Sequence, residues 1–413
     1  MSEPTITVYG AYWCPDCRRS KQFLGEHQIP YNWINIEEDP EAEQFVIEKN
    51  DGKRIIPTII FEDGSSLTEP SNADLAQKLG LKTTASRHFY DVIVVGGGPA
   101  GLTAALYMAR EAIDTLVIEK AALGGQAAGT EKLENMPGFP GSIEGIEFAN
   151  RLRQQAEEFG VELLQAQEVA HIRHQDNYHF VKTSDGSEYS ASAVLVTTGS
   201  KYRRLGVPGE TDYLGAGVHF CATCDGPFYK EKHVAVVGGG NSATEEGLLL
   251  TKFADKVTLL VRSDVLKASQ ISQDQVLNHP KMEVLWNTEV KAFEGEASQL
   301  KRLQLQNNKT GDEQVMEIDG TFIFIGLDPN SGFLKDTAVA LNQWGFVVTG
   351  HDLVHDGPPP EPFNGRSPFM LETSVPGIFA AGDVRDKSTK QVVSAAGEGA
   401  TAALEIREYL KTV

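Results

Sequence analysis

The sequence predicts an α/β protein of about three domains, and two observations carry this prediction. Two glycine-rich segments, at Gly96 and Gly238, each follow an apolar β-branched run and precede a helical stretch. The N-terminal part alternates short strands and helices on its own. The length of 413 residues suffices for this number of domains. The predicted boundaries are 1–82, a linker at 83–88, a first nucleotide-binding segment at 89–205, a second nucleotide-binding domain at 206–328, and a return segment at 329–413.

The first predicted domain has the element order β-α-β-α-β-β-α. A Cys-x-x-Cys pair, Cys14 and Cys17, stands at the start of its first helix, and such a pair can cycle between dithiol and disulfide. This combination is typical of the thioredoxin fold. The predicted strands are 5–9, 31–36 and 55–61, the predicted hairpin turn is Asp63–Gly64, and the predicted helices are 14–27, 40–49 and 72–79.

Several short motifs in this domain point to one family. They are Trp13-Cys14-Pro15-Asp16-Cys17, Asn35 to Pro40, Ile56-Pro57-Thr58, Asp63-Gly64-Ser65 and Thr68 to Ser71. Through them the domain resembles the glutaredoxins, and within that group the mycoredoxins. The resemblance implies an exposed nucleophile at Cys14, a resolving thiol at Cys17 and a cis peptide before Pro57, although a proline there could instead mark an edge strand. The helix start and the nearby Arg18 and Arg19 should favour a thiolate at Cys14.

The second predicted domain begins with a βαβ unit. The strand 91–95 leads into Gly96, Gly98 and Gly101, which fit G-x-G-x-x-G. The first glycine makes a tight turn, the second lets the backbone approach a pyrophosphate, and the third packs helix against strand. Glu119 ends the next strand, where a carboxylate can hydrogen-bond a ribose; the alternative is an ordinary surface glutamate.

A second unit repeats this pattern further along the chain. Gly238, Gly240 and Ala243 fit G-x-G-x-x-A between a strand and a helix. The position equivalent to the ribose-binding acid of the first unit is Val261, with Arg262 beside it. Because NAD sites prefer an acid there, an apolar residue next to a cation favours the 2′-phosphate of NADPH. The sequence therefore predicts two Rossmann-like dinucleotide domains.

A second Cys-x-x-Cys pair, Cys221 and Cys224, lies between the two glycine segments, and Asp225 follows it directly. A redox pair at this place indicates an electron path, with Asp225 close enough to give or take a proton. The alternatives are half of a zinc site or two buried thiols. A zinc site needs four ligands, and the other Cys-x-x-Cys pair lies far upstream, which favours the redox interpretation.

Further motifs occur in order from residue 89 to the C-terminal end. They are Gly124-Gly125-Gln126, Glu134 to Gly138, Ala193 to Gly199, Phe322 to Gly326, Val375 to Asp383, and Gln391 with the helix after it. Through them this part of the chain resembles the low-molecular-weight thioredoxin reductases. The resemblance implies FAD and NADPH as cofactors, Cys224 as the flavin-proximal sulfur, Cys221 as the sulfur that attacks a partner disulfide, and a homodimer.

The 2′-phosphate pattern departs from that family. The family pattern is His-Arg-Arg with a further Arg, and the matching positions here are Val261, Arg262, Ser263 and Lys267. One arginine is kept, one is lost and one is replaced by lysine, so NADPH is favoured while loss of nicotinamide binding stays open.

The expected cofactor contacts come from both resemblance and motif. They are Gly96, Gly98, Pro99, Ala100, Gly101, Glu119, Gly125, Gln126, Asn135, Val169, Thr198, Gly199, Gly382, Asp383, Gln391 and Val392 for FAD, and Gly238, Gly240, Asn241, Ser242, Ala243, Arg262, Lys267 and Gly326 for the second nucleotide site and the strand that returns from it. No metal site is predicted.

The net charge of the protein limits the classes of binding partner that we expect. With 37 Lys+Arg against 57 Asp+Glu the net charge is −20, which argues against nucleic acid or an anionic membrane. No secretory signal, membrane-length apolar run or structural disulfide framework is evident, so we expect a soluble cytoplasmic protein that acts on a disulfide protein or a small thiol.

In the function that we favour, electrons pass from NADPH through FAD and the second cysteine pair to the first. The alternatives are a peroxiredoxin reductase and a redox-sensing flavoprotein that turns over poorly.

Overall fold

The computed structural model forms two compact units. It describes residues 6–27, 29–130, 132–296, 299–354, 363 and 365–413. The first unit contains the chain up to Gly129 together with Gly145–Gly199 and Ser331–Val413, and the second contains Thr130–Glu144 and Ser200–Asn330. The domain boundaries predicted from the sequence stay predictions.

The N-terminal part of the first unit has the predicted order of elements. Its sheet runs β2-β1-β3-β4, with β1 parallel to β2 and antiparallel to β3. Strand β3 is shorter than predicted, because the proline before it has no N–H to donate to the ladder. The peptide before Pro57 is cis, as expected. The elements are β1 (Ile6–Gly10), α1 (Pro15–Glu26), β2 (Tyr31–Asn35), α2 (Pro40–Lys49), β3 (Thr58–Ile60), β4 (Ser66–Thr68) and α3 (Asn72–Lys78).

The remaining strands and helices follow the predicted α/β pattern. In chain order they are β5 (Phe89–Val95), α4 (Pro99–Arg110), β6 (Thr115–Ile118), α5 (Gly125–Ala128), α6 (Gly145–Glu158), β7 (Glu162–Leu164), β8 (Val169–Gln175), β9 (Tyr178–Thr183), β10 (Glu188–Val196), β11 (Ser200–Tyr202), β12 (Val218–His219), α7 (Ala222–Asp225), β13 (His233–Val237), α8 (Asn241–Leu250), β14 (Lys256–Val261), α9 (Gln270–Asn278), β15 (Met282–Trp286), β16 (Thr288–Glu296), β17 (Gln299–Asn307), β18 (Glu313–Glu317), β19 (Gly320–Ile323), β20 (Leu327–Pro329), β21 (Ile378–Ala380) and α10 (Val392–Leu410).

The larger sheet of the first unit has the order β7-β6-β5-β10-β9-β8, and β21 also pairs with β10. Strands β5, β6, β7, β10 and β21 are parallel, while β8 and β9 complete an antiparallel meander. The parallel strands are apolar runs because both of their faces are covered. The glycine turn after β5 therefore lies at the carboxyl edge of a parallel sheet, the usual position of a nucleotide.

The second unit is built in the same way around a smaller sheet. Its five parallel strands have the order β12-β19-β13-β14-β15, beside an antiparallel sheet β16-β17-β18 and a two-stranded ribbon β11-β20. Short 3-10 helices occur at Gly226–Tyr229 in this unit and at Gly332–Leu334, Gly350–Leu353 and Gly382–Val384 in the first. The Pro- and Gly-rich stretch 351–368, which the sequence predicts as a surface loop, lies outside the described residues at 355–362 and 364. Among the helices that the structure describes, none is long and apolar enough to cross a membrane.

The predicted linker has several anchors: Arg87 pairs with the carboxylate of Asp114 at 2.8 Å, and the carboxylate of Glu162 holds the residues before Arg87. Glu162 accepts hydrogen bonds from the N–H and hydroxyl of Ser86, at 2.6 and 2.7 Å, and from the hydroxyl of Tyr90 at 2.6 Å. The ammonium of Lys82 lies 2.7 Å from it, and the carbonyl of Lys82 accepts the N–H of Gln165 at 2.9 Å. The segment is therefore fixed against β7, which the polar and patternless sequence did not predict.

Candidate functional site

The first cysteine pair stands where α1 begins. Cys14 is the N-cap of that helix, and its sulfur accepts the N–H of Cys17 at 3.0 Å. The sulfur also lies 3.8 Å from the carbonyl oxygen of Ile56, next to the cis peptide. Gly10 makes this packing possible, since a Cβ there would lie 2.7 Å from the sulfur of Cys17. Gly10 was not predicted as part of the site.

Two expectations for this pair need correction. Cys14 is only 3% exposed, because the Ile56 carbonyl and the first turn of α1 cover a sulfur that was expected to be exposed. Arg19 is engaged with the carboxylate of Asp16 and with the carbonyl of Pro70, not with Cys14. Burial, reinforced by the hydrogen bond to Cys14, raises the pKa of Cys17 to about 12. Cys17 therefore keeps its proton at neutral pH.

The first glycine turn has the geometry that a bound dinucleotide requires. Gly96 has φ +109°, and a Cβ there would lie 2.5 Å from the carbonyl oxygen of Thr197. A Cβ on Gly101 would lie 2.0 Å from the carbonyl oxygen of Gly96, so helix and strand pack directly. A Cβ on Gly98 would meet no atom within 4 Å, and no side chain caps the helix that it starts. The N–H groups of this helix end are thus open to a pyrophosphate.

Glu119 lies beside this turn, at the end of β6. Its carboxylate accepts the N–H of Gly97 at 2.6 Å and the N–H of Ala121 at 2.8 Å. Burial raises the pKa of Glu119, and the two backbone donors oppose that rise. The carboxylate is therefore fixed at the turn, and its predicted contact with a ribose stays a prediction.

The return segment places Asp383 in a second polar cluster. The N–H of Gly382 donates to Glu398 at 2.7 Å, and Arg385 pairs with the same carboxylate at 2.6 Å. The ammonium of Lys390 donates to the carbonyl of Asp383 at 2.9 Å. Burial raises the pKa of Asp383. Glu398, Arg385 and Lys390 were not predicted, because they contact the turn only in the folded chain.

The other residues expected at FAD divide between the two units. A Cβ on Gly125 would lie 3.2 Å from the Cα of Gly98, so this loop closely approaches the glycine turn. Val169 is buried in the core at the start of β8, and Asn135 belongs to the segment 130–144 of the second unit. Pro99 and Ala100 open α4, Gln126 lies in α5, Thr198 and Gly199 follow β10, and Gln391 and Val392 begin α10.

The second cysteine pair is a disulfide in the second unit. Cys221 and Cys224 are bonded with their Cα atoms 5.3 Å apart, and Cys221 is the N-cap of the short helix α7. The sulfur of Cys221 accepts the N–H of Cys224 at 3.1 Å. This arrangement matches that of Cys14 and Cys17. It favours the redox interpretation over a zinc site, since bonded sulfurs are not free thiolate ligands.

Asp225 ends α7 and has a neighbour that the sequence did not predict. Its carboxylate lies 3.4 Å from Nδ1 of His219. The Nε2 of the same ring lies 2.6 Å from the hydroxyl of Tyr229. The Asp225 side chain is 30% exposed, whereas that of His219 is 6% exposed. A solvent-accessible carboxylate is thus backed by a buried imidazole.

The second glycine turn resembles the first. Gly238 has φ +146°, and a Cβ there would lie 2.4 Å from the carbonyl oxygen of Phe324 and 2.8 Å from Ala243. A Cβ on Gly240 would meet no atom within 4 Å, and α8 begins there without a side-chain cap. Asn241 and Ser242 begin that helix, and the amide oxygen of Asn241 accepts the N–H of Ser269 at 2.7 Å. This turn also fits a dinucleotide.

Two exposed cations follow β14, and their predicted contact with a 2′-phosphate stays a prediction. Arg262 is exposed just after the strand, and Lys267 is exposed where the backbone returns to donate to the carbonyl of Gly239 at 2.7 Å. Asp264 lies between them in sequence, and Lys309 pairs with it at 2.6 Å. Gly326, with φ +108°, lies elsewhere in this unit, beside Arg203.

Comparison with known proteins supports the family resemblance of the N-terminal part and that of the rest of the chain. The family model for pyridine nucleotide-disulphide oxidoreductases matches residues 90–399, and the glutaredoxin model matches residues 6–65. The chain is 41% identical over 322 residues to a thioredoxin reductase of Bacillus subtilis, covering 78% of this chain and 95% of that protein. It is 40% identical over 324 residues to that of Treponema pallidum, with 78% and 98% covered.

Solved structures show the same likeness. The crystal structure of thioredoxin reductase from Streptococcus pyogenes matches with a TM-score of 0.71 and 38% identity, covering 79% of this chain and all of that one. Thioredoxin reductases use FAD and NADPH, and the two glycine turns fit these cofactors. The chain therefore belongs to the pyridine nucleotide-disulphide oxidoreductase family, as a flavoprotein disulfide reductase of the thioredoxin reductase type that carries a glutaredoxin domain at its N-terminal end.

Proposed function

We propose that the two cysteine pairs act in series, Cys221 and Cys224 first, Cys14 and Cys17 second, and that the second pair reduces a disulfide substrate. One observation carries this proposal. In each pair the first cysteine caps a helix, and its sulfur accepts the N–H of the second cysteine, at 3.0 Å and at 3.1 Å. A helix N-terminus stabilises a thiolate at that sulfur, which suits both pairs to thiol–disulfide exchange.

The exchange balances between the two pairs. The thiolate of Cys221 attacks Cys14, which forms a mixed disulfide and releases Cys17. Cys224 then attacks Cys221, which restores the Cys221–Cys224 disulfide and releases Cys14. Because burial raises the pKa of Cys17 to about 12, Cys17 takes up a proton from solvent once it is released, and Cys14 is the sulfur that attacks the substrate.

The residues around the two glycine turns support this role. Open helix N–H groups and the carboxylate of Glu119 would hold FAD, and Arg262 with Lys267 would hold the 2′-phosphate of NADPH. When bound, these cofactors would supply the two electrons that reduce a disulfide. Asp225 is proposed to move the proton that reduction of Cys221–Cys224 requires.

The experiment that tests the proposal is insulin reduction driven by NADPH. The wild-type protein should reduce insulin, and Cys14→Ser should lose that activity. The same variant should still reduce its Cys221–Cys224 disulfide with NADPH, which serves as the internal control. Insulin reduction by Cys14→Ser at the wild-type rate would show that the N-terminal pair is not the exit to substrate.

We also propose a homodimer in a reducing compartment such as the cytoplasm. Tyr107, Val393 and Leu404 on α4 and α10 are each at least 40% exposed, which suits an interface between two copies. The compartment is inferred separately from the cysteines: all four belong to two Cys-x-x-Cys pairs, as in catalytic use in a reducing compartment. Light scattering during size-exclusion chromatography measures the assembly, and a single-chain mass would contradict the dimer.

A further inference from the structure

His219 occupies a buried position between two rings and a carboxylate. It lies in β12, which pairs with β19, and its ring centroid is 5.3 Å from that of Tyr229 and 5.2 Å from that of Phe322. Its two nitrogens face different groups, the hydroxyl of Tyr229 at 2.6 Å and the carboxylate of Asp225 at 3.4 Å. Three separate elements thus bring together a chain of polar groups that ends at the residue after Cys224.

The hydrogen positions on Tyr229, His219 and Asp225 follow from the chemistry of each side chain. Burial, with Asp225 and Asp319 nearby, raises the pKa of Tyr229, so the phenol keeps its hydrogen. A neutral imidazole has one N–H and one acceptor nitrogen. When Tyr229 donates to Nε2, the N–H is on Nδ1 and faces the Asp225 carboxylate. In the other tautomer Nδ1 is an acceptor and faces a protonated Asp225.

We propose that His219, oriented by Tyr229, is a positioning residue that holds Asp225 for proton transfer to the Cys221–Cys224 pair. The inference rests on the proposed function of that pair. Reduction breaks the S–S bond and adds two electrons and two protons to the sulfurs. The two electrons and one of the protons come as the hydride equivalent of NADPH, and the second proton comes from Asp225. The carboxylate left behind then meets the N–H of His219, at a contact that such sites often tighten only during reaction.

A histidine that only fills space would need no carboxylate at its second nitrogen. His233 provides the comparison within the same unit, because its Nε2 lies 2.8 Å from the hydroxyl of Thr258. Two further acids lie near these polar groups. Glu246 on α8 accepts the N–H of Ala222, with a pKa that burial raises, and Asp319 acts on Tyr229.

The test uses the full-length holoenzyme and stopped-flow reduction by NADPH. His219→Ala should leave the rate of flavin reduction unchanged. It should slow the later step, reduction of the disulfide, by about tenfold. Complete loss of a general acid slows a reaction by about 10²-fold or more, and loss of a residue that only positions the acid should cost a part of that. The pH profile of that step should shift. His219→Asn, whose amide can occupy the Nδ1 position, should recover much of the rate. The control His233→Ala should match the wild type.

Two further measurements separate positioning from packing. If His219 acts through Asp225, the double variant His219→Ala, Asp225→Asn should be no slower than Asp225→Asn alone. In protein reduced with dithiothreitol, the pH dependence of Cys221 alkylation by iodoacetamide should also shift in His219→Ala, independently of any cofactor.

Several outcomes would overturn the inference. They are a wild-type rate and pH profile in His219→Ala, equal slowing of both steps, additive losses in the double variant, and an equal loss in His233→Ala. If His219→Ala does not fold, Tyr229→Phe and His219→Asn carry the same comparison. A wild-type rate in Asp225→Asn would refute the proton role of Asp225, whereas a disulfide that NADPH never reduces would refute the proposed function itself.

Discussion

Removing the charge of Glu162 should lower the free energy of local opening of the linker between the glutaredoxin domain and the flavoprotein core. The Glu162 side chain is 11% exposed and pairs with Lys82 at 2.7 Å. Burial alone would raise its pKa, but the hydrogen bonds from Lys82, Tyr90 and Ser86 outweigh that effect and hold the pKa at about 2, against an ordinary value of 4.5. That difference corresponds to about 3 kcal/mol, which solvent screening reduces to about 2 kcal/mol.

Glu162→Gln keeps the shape of the side chain and removes its charge. We expect the free energy of local opening at residues 81–90 to fall by about 2 kcal/mol, so that amide hydrogen exchange there is about 30-fold faster. Mass spectrometry of exchanged, digested protein measures this. The matched control is Glu168→Gln, because Glu168 is exposed and 4.0 Å from Lys120. Unchanged exchange in Glu162→Gln, or an equal change in the control, would refute the reasoning.

The same carboxylate predicts a pH dependence. Because the pKa of Glu162 is lower in the folded protein, its contribution is complete above about pH 4.5 and is lost as the pH falls towards 2. Protection at residues 81–90, corrected for intrinsic exchange, should fall through this window in the wild type. In Glu162→Gln that particular loss should be absent.

Three further predictions concern the redox and nucleotide sites. Arg262→Ala should raise the KM for NADPH and leave any NADH activity nearly unchanged, with Lys256→Ala as the surface control; an equal loss with both nucleotides would contradict a 2′-phosphate contact. Cys17 in the reduced Cys14→Ser variant should resist iodoacetamide at pH 8, since burial, the largest cause of its raised pKa, is kept when Cys14 is replaced; rapid alkylation would contradict a buried, protonated thiol. Gly10→Ala should destabilise the N-terminal domain by about 1–3 kcal/mol, because its Cβ would lie 2.6 Å from the ring of Trp33; an unchanged unfolding midpoint for this domain would contradict the packing.

The sequence predicted the parts of the protein that depend on local pattern. The fold class is confirmed, and so are the glutaredoxin and thioredoxin reductase resemblances. The glycine turns could be found because Gly96 and Gly238 need left-handed backbone between a strand and a helix, a requirement visible in a few residues. The cysteine pairs could be found for the same reason, since the two cysteines of each pair lie within one helical turn.

Contacts between distant parts of the chain could not be predicted. Cys14 was expected to be exposed, but the carbonyl that covers it belongs to Ile56, which only the fold brings near. The hydrogen bonds of Glu162 to the linker have no periodic signal either. His219 and Asp225 are only six positions apart, but a strand end and a short helix decide that their side chains meet.

The central claim is that electrons pass from Cys221–Cys224 to Cys14–Cys17, and one measurement tests it most directly. Oxidised protein is mixed with excess NADPH without oxygen and quenched with acid, and differential alkylation with mass spectrometry then reports the state of each pair. Both pairs should be reduced in the wild type, while Cys14–Cys17 should stay oxidised in Cys224→Ser. Reduction of Cys221–Cys224 in the wild type with Cys14–Cys17 left oxidised would contradict the account.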